Sequence, residues 1–169
     1  TGQGTLGSVS ALSTLTLYGS NANLELSAGQ TLYVDGILRT AAGLNPYGQQ
    51  LLGNAYFANV VSTISGGSLN SGAQEFVVRT DTSAPGDNST YQALILKSAI
   101  AGTSAGAGLT KVGTGYLTLG GAASNTYSGV TTLLGGTTIL QKTSGAVAIP
   151  GDLLIGDSVA TDTRLQFGN

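Results

Sequence analysis

The chain contains no histidine, cysteine, methionine or tryptophan, and it carries little charge. Without His, a serine nucleophile lacks its customary general base, and without Cys there is neither a disulfide framework nor a thiolate metal site. Charged residues are 8% of the 169, against about a quarter in ordinary globular chains, and the net charge of −2 offers no basic surface to nucleic acid or anionic membranes. No apolar run approaches the ~18 residues of a membrane-spanning helix, so none is predicted.

Small polar residues and glycine take the place of charge, with 27 Gly but only 3 Pro. Because apolar residues still make up 41%, the composition indicates a folded chain rather than a disordered one. Apolar residues do not recur at helical spacing, and each Gly inside a helix would cost about 1 kcal/mol. Short alternating runs such as Leu94-Ile95-Leu96 and Leu117-Thr118-Leu119 place two side chains on one face instead. The sequence therefore predicts an all-β fold.

Two β architectures compete. A sandwich or barrel has longer strands joined by hairpin turns, whereas these runs span about three to five residues between small residues. That pattern favours a parallel solenoid whose coils stack at roughly 4.8 Å, with about 20 residues per coil and roughly eight coils. Residues 41–54 and 81–90 are predicted to be irregular excursions. No linker divides the chain, so residues 1–169 are predicted to form a single segment; because they start at Thr1 without Met, we expect a piece of a longer protein.

Residues 108–140 carry several spaced elements in a fixed order. These are Gly-Leu-Thr-Lys at 108–111, Gly-Thr-Gly at 113–115, Leu-Thr-Leu at 117–119, Asn-Thr-Tyr-Ser-Gly at 125–129, Thr-Thr at 131–132 and a Gly at 136. The segment resembles the autotransporter-associated β-strand repeat, also called the passenger-associated transport repeat. The resemblance implies a right-handed, single-stranded parallel β-helix in a secreted passenger, which in that family reaches the cell surface through a C-terminal outer-membrane barrel.

Residue chemistry in this segment agrees with a scaffold role. Alternation places Leu117 and Leu119 inward and Tyr116 and Thr118 outward. Asn125 suits a corner, because Asn tolerates left-handed backbone and can bond neighbouring amides. Three lysines next to strands are predicted to point outward, where their charge stays solvated and discourages edge pairing: Lys97, Lys111 and Lys142.

Two sets of residues could carry chemistry. Lys97 and Ser98 would form a nucleophilic dyad only on one face, but adjacent strand residues point to opposite faces. Clustered carboxylates could bind calcium or act in catalysis, as in β-helix enzymes that degrade polysaccharides. The candidates are Asp152, Asp157 and Asp162 at five-residue intervals, with Asp81 and Asp87 in one loop. Calcium requires about six to eight oxygens and the Gly-Gly-x-Gly-x-Asp pattern is absent, so these are predicted to be turn residues. An enzyme would bring several acids together with Arg39 or Arg79 in a groove.

Aromatic and glycine-rich features have similar alternatives. The tyrosines could bind sugars on an exposed face, but packing between neighbouring coils is the favoured interpretation: Tyr18, Tyr33, Tyr47, Tyr56, Tyr91, Tyr116 and Tyr127. Asn88-Ser89-Thr90 is a formal glycosylation acceptor that a bacterial source would leave unused. Residues 102–108 are glycine-rich but lack the Lys-Ser/Thr of a phosphate loop, so they are predicted to form a corner.

Together these patterns predict a structural section of a bacterial extracellular passenger or stalk, which presents or forms an adhesive surface on a Gram-negative cell. It is predicted not to be an enzyme, with no catalytic, cofactor-binding or metal site. The alternatives are a subunit of a self-assembling extracellular fibre and a carbohydrate-active β-helix enzyme. The candidate partners are a host or cell-surface receptor, a glycan, and a second copy bound head to tail, with no nucleic acid and no membrane span in this fragment.

Overall fold

The structure is a computed structural model that describes residues 11–17, 22–39, 60–81, 92–156 and 162–168. These residues form strands and no helix. The strands are β1 (Ala11–Leu17), β2 (Leu24–Glu25), β3 (Thr31–Arg39), β4 (Val60–Ser65), β5 (Ser68–Asn70), β6 (Phe76–Thr80), β7 (Gln92–Leu96), β8 (Ala99–Ala101), β9 (Leu109–Val112), β10 (Tyr116–Gly121), β11 (Thr131–Leu133), β12 (Gly136–Lys142), β13 (Leu153–Ile155) and β14 (Thr163–Phe167). The prediction of an all-β fold is confirmed.

The strands form two sheets, and every strand pair among the described residues is parallel. One sheet has the order β13-β11-β9-β6-β3-β5-β8 with β1 beside β3, and the other has the order β14-β12-β10-β7-β4-β2. From β9 onward the chain alternates between the sheets, and each strand after β9 pairs with the preceding strand of its own sheet. Hairpin pairing, which a meander or Greek-key sandwich uses, is therefore absent from the described strands.

We use the term circuit for the stretch of chain that runs from a strand residue to its register partner on the next strand of the same sheet. Leu109 pairs with Thr131, and Thr131 pairs with Leu153, so these two circuits are equal in length. The first circuit, from Ala11 to Tyr33, has the same length, but the circuit from Gly36 to Val77 is longer because it includes residues 40–59. The predicted irregular regions 41–54 and 81–90 lie outside the described residues, except for Asp81.

Parallel register stacks inward side chains into rows that form the core. The longest apolar row runs through Leu24, Ile64, Leu96, Leu119, Leu140 and Phe167. Ile64, Leu96 and Leu119 of this row are fully buried, as is Leu117 in the adjacent row, which confirms the inward prediction for Leu117 and Leu119. Burying each such leucine contributes roughly 2–3 kcal/mol.

The outward prediction for Thr118 is only half right. Its side chain alternates away from Leu117 and Leu119, yet Thr118 is buried. In register it lies between Ile95 and Ile139 of the neighbouring strands, so branched side chains flank it on both sides. Exposure on an outer sheet face therefore depends on cross-strand neighbours as well as on alternation.

Candidate functional site

Lys111 occupies an interior position, contrary to the prediction that its charge would face solvent. It is 0% exposed and continues a row otherwise made of aliphatic residues: Leu15, Ile37, Val78, Leu133 and Ile155. The local reason is the alternation in β9, which turns Leu109 and Lys111 to the same side. This alternation is visible in the sequence, but the charge of lysine led to the prediction of an outward position.

The Lys111 ammonium is satisfied by backbone carbonyls. Nζ donates to the carbonyl oxygens of Val112 at 2.9 Å, Gly113 at 2.8 Å and Gly135 at 3.0 Å. Three acceptors match the three donors of an ammonium group. Burial lowers the pKa of Lys111 to about 8, while the Asp81 carboxylate opposes that shift. The side chain thus joins the corner after β9 to the corresponding corner one circuit later.

Asn125 links three successive circuits. Its Oδ1 accepts a hydrogen bond from the Ile100 amide at 2.9 Å, and its Nδ2 donates to the Ala148 carbonyl at 2.7 Å. The side chain is almost fully buried, so these bonds are shielded from water. The prediction that Asn125 is a corner residue bonding neighbouring amides is confirmed.

Tyr127 and Gly129 complete the same corner. The Tyr127 hydroxyl lies 2.6 Å from Thr131 Oγ1, and burial raises the pKa of Tyr127 to about 12. A Cβ on Gly129 would collide with the backbone of Gly106 and Ala107 in the preceding circuit. The three buried residues of the Asn-Thr-Tyr-Ser-Gly run, Asn125, Tyr127 and Gly129, therefore each make a hydrogen bond or a close packing contact.

The other two lysines differ from each other. Lys97 is exposed, as predicted. Lys142, also predicted outward, is half-buried at the end of β12, and within the described part of the chain its Nζ is buried without a hydrogen-bond partner. Burial lowers the pKa of Lys142 to about 8.

Lys97 and Ser98, considered above as a possible dyad, lie in different environments. Ser98 is buried, and its Oγ donates to the Gly66 carbonyl one circuit earlier. Lys97, which like Ser98 lies between β7 and β8, is exposed to solvent. A general base and a nucleophile within hydrogen-bond reach are therefore not provided by this pair.

The two arginines considered for an active-site groove, Arg39 and Arg79, do not share a surface. Arg39 is buried and donates from Nη1 to the Leu17 carbonyl at 3.2 Å, and burial lowers its pKa. Arg79 is exposed and pairs with Asp81, with 2.7 Å between Nε and Oδ2. The side-chain hydrogen bond from Arg79 to Asp81 raises the pKa of Arg79. The Arg79–Asp81 pair is an exposed ion pair, a surface contact that contributes little to stability.

The predicted acidic candidates are dispersed. Asp152 is exposed, and Asp162 pairs with Arg164 at 2.7 Å between Oδ2 and Nη2. Asp157 and Asp87 lie outside the described residues. Among the residues that the structure describes, no group of three or more His, Cys, Asp or Glu side chains is placed to hold a metal ion.

The described tyrosines occupy different environments rather than one stacked row. Tyr33 is exposed on β3, Tyr116 is half-buried on β10 of the other sheet, and Tyr127 is buried. Tyr18, Tyr47, Tyr56 and Tyr91 lie outside the described residues.

A solvent-open groove of about 230 Å³ lies beside Tyr33. Leu12 and Ser13 of β1 form one wall, Tyr33 and Asp35 of β3 form another, and the turn at residues 70–72 closes the third side. Sequence reasoning missed this groove. The signal was the run Leu32-Tyr33-Val34-Asp35, whose alternation places Tyr33 and Asp35 on one face.

The C-terminal strands of both sheets expose apolar side chains. Phe167 at the end of β14 is 79% exposed, and Leu154 in β13 is 55% exposed. Leu153 and Ile155 of β13 are exposed as well. Strands β13 and β14 each pair on one side only within the described residues.

Comparison with known proteins finds similarity to an autotransporter adhesin. No protein-family model and no solved structure matches the chain. The chain is 33% identical over 151 residues to a curated protein named Adhesin BmaC autotransporter, from Brucella suis biovar 1 (strain 1330). The match covers 88% of the chain but 4% of that protein, so the chain spans a small part of its relative's length. Within the described ranges, no helix has the length and apolar character needed to cross a membrane.

Proposed function

We propose that the chain is a structural section of an autotransporter passenger on the surface of a Gram-negative bacterium, folded as a right-handed, single-stranded parallel β-helix that presents or forms an adhesive surface. The observation that carries the fold is the regular alternation from β9 to β14, in which each strand from β10 on pairs in parallel with the preceding strand of its own sheet. The circuits from β9 to β11, from β10 to β12 and from β11 to β13, each about 20 residues long, suit one turn of such a helix, and the circuit from β12 to β14 is longer.

The repeat chemistry supports membership of the passenger-associated transport repeat family. Lys111, Asn125 and Gly129 each contact a neighbouring circuit through carbonyls, amides or close backbone approach. Those contacts exist only when one circuit stacks on another, so the motif has a physical reason to recur in a solenoid. The adhesin similarity over most of the chain supports a surface location and an adhesive role.

The absence of native cysteine permits a clean test of the parallel register. Thr110 and Thr132 are register partners on the outer face of adjacent strands, one circuit apart. We expect Thr110→Cys with Thr132→Cys to be joined efficiently by a short bismaleimide linker. The control pair, Thr110→Cys with Thr126→Cys, places the second cysteine outside both ladders and should react poorly. Equal cross-linking of both pairs would refute the register on which the β-helix depends.

Surface function requires a separate test. The chain, fused between a signal sequence and an outer-membrane barrel, should become accessible to added protease on intact Gram-negative cells and should increase attachment of those cells to a host-cell layer. A fusion lacking the segment, with an inert spacer in its place, is the control. Surface exposure with attachment equal to the spacer would support a spacing role and overturn adhesion.

A second candidate, a self-assembling fibre subunit, is favoured by the exposed C-terminal strands. Within the described residues, two inward rows run from Leu15 and Leu24 to Ile155 and Phe167, whose side chains are exposed. A second copy bound head to tail would continue both rows and cover the edge strands.

Sedimentation velocity over a wide concentration range tests this candidate. We expect concentration-dependent association that Phe167→Glu weakens at least tenfold. The matched control is Val77→Lys, because Val77 is an exposed apolar residue on the outer face of the sheet, away from its ends. A strict monomer at high concentration, or equal loss in both variants, would rule out stacking through this end.

A further inference from the structure

We propose that the groove beside Tyr33 binds one uncharged pyranose ring. The groove lies on the outer surface between β1, β3 and the turn that follows β5, and it opens to solvent. This inference rests on the proposed adhesive role and names the class of ligand and the residues that would contact it.

The apolar and polar parts of the groove lie side by side. Tyr33 is 37% exposed and gives the groove an aromatic surface, whereas Leu12 lines the groove but packs its side chain against the core. Asp35 follows two residues later on the same face of β3 and is exposed. A pyranose has an apolar C–H face and a rim of hydroxyl donors, which match an aromatic ring and a carboxylate acceptor respectively.

The remaining side is held rigidly before any ligand arrives. Asn70 Oδ1 accepts from the Gly72 amide at 2.7 Å, and Ser71 Oγ donates to the Gln74 carbonyl at 2.7 Å. Gly72 has a φ of 64°, in the left-handed region that glycine adopts without strain. A preformed wall reduces the entropy lost on binding, which matters for a ligand as small as a monosaccharide.

The volume of the groove and the charge of its lining residues limit the class of ligand that it can bind. The volume of about 230 Å³ lies below the ~300–1,000 Å³ of pockets for drug-sized ligands, which fits a single ring rather than an enclosed oligosaccharide. Asp35 is the one charged residue among those lining the groove. A carboxylate without a lining cation repels sialic and uronic acids, so neutral hexosides are favoured. Calcium is a poor fit, because one carboxylate cannot supply about six to eight oxygens.

The experiment is a titration of ¹⁵N-labelled protein with the methyl glycosides of glucose, galactose and mannose, and with N-acetylneuraminic acid. We expect at least one neutral glycoside to shift the backbone amide signals of Ser13, Tyr33, Asp35 and Gly72. Tyr33→Ala and Asp35→Asn should each weaken that binding about tenfold or more. Binding of N-acetylneuraminic acid in preference to the neutral glycosides would overturn the charge argument.

Two further variants test whether a loss of binding is caused by blocking the groove or by a change in fold. Ser13→Arg places a large side chain at the groove wall and should abolish the shifts, whereas Thr14→Arg adds the same charge to the next exposed residue, outside the lining, and should leave them unchanged. No shift with any glycoside, or equal loss in both arginine variants, would refute the site. Either result leaves the cross-linking and surface-display outcomes intact, so a failed sugar site is distinguishable from a failed passenger.

Discussion

Replacing Lys111 with methionine tests which of two effects on a buried ammonium is larger: the cost of removing its charge from water, or the gain from its hydrogen bonds. Methionine has a similar length and would extend the aliphatic row formed by neighbours such as Val78 and Leu133. It removes the cost of desolvating a charge, but it also removes three hydrogen bonds from Nζ to backbone carbonyls. Hydrogen bonds to charged groups contribute about 1.5–3 kcal/mol each before desolvation is subtracted, and they are not additive.

We expect Lys111→Met to lower the free energy of unfolding by about 2–4 kcal/mol, because carbonyls at two corners lose their donor in a site closed to water. For a domain of this size the melting temperature should fall by roughly 4–16 °C. Urea denaturation followed by circular dichroism measures the change. Lys97→Met, at an exposed lysine, is the control and should change stability by less than about 0.5 kcal/mol. A Lys111→Met protein as stable as the wild type, or more stable, would refute the reasoning and show that desolvation dominates.

Three further predictions use the same denaturation assay. Stability should rise with pH between about 8 and 10, because burial lowers the folded pKa values of Lys111 and Lys142 to about 8 and the unfolded state then binds more protons. It should fall above pH ~10 as Tyr127, whose folded pKa is about 12, is deprotonated mainly in the unfolded chain. A flat profile from pH 7 to 12 would contradict these shifts. Asn125→Ala should cost about 2–3 kcal/mol by leaving the Ile100 amide and Ala148 carbonyl unpaired, whereas the adjacent exposed Thr126→Ala should be nearly neutral. Gly129→Ala should lower the free energy of unfolding by roughly 1–3 kcal/mol, because the added Cβ meets backbone atoms. Gly120→Ala is the control, since its added Cβ has only ordinary contacts. Equal stability of the two variants would disprove the clash.

Local patterns in the sequence were enough to predict an all-β fold, several of its strands and part of its interior. Alternation identified Leu117 and Leu119 as core residues, and the chemistry of Asn identified a corner at Asn125. Both features depend on residues close in sequence. The same alternation would have placed Lys111 inside, but the usual cost of burying an ammonium argued against it. Only the positions of the Gly113 and Gly135 carbonyls, one circuit apart, reveal how that cost is offset.

Features that depend on distant residues could not be predicted in this way. The burial of Thr118 follows from Ile95 and Ile139, which lie one circuit before and after it. Register partners lie much farther apart in sequence at Gly36 and Val77 than at Leu109 and Thr131, so no fixed period aligned the rows in advance. The groove beside Tyr33 likewise combines three segments that meet only after stacking.

The buried polar residues bear on a problem particular to stacked parallel strands. Successive strands here present similar aliphatic rows, so apolar burial alone would tolerate a strand paired one circuit out of place. Lys111 and Asn125 remove that freedom, because a displaced strand would leave a charge or an amide in the interior without its carbonyl and amide partners. Each therefore contributes to the choice of register as well as to stability. The expected consequence is that Lys111→Met and Asn125→Ala broaden the unfolding transition as well as shifting its midpoint, because mispaired stacks become accessible, whereas truncation of Leu117 to Ala should shift the midpoint alone.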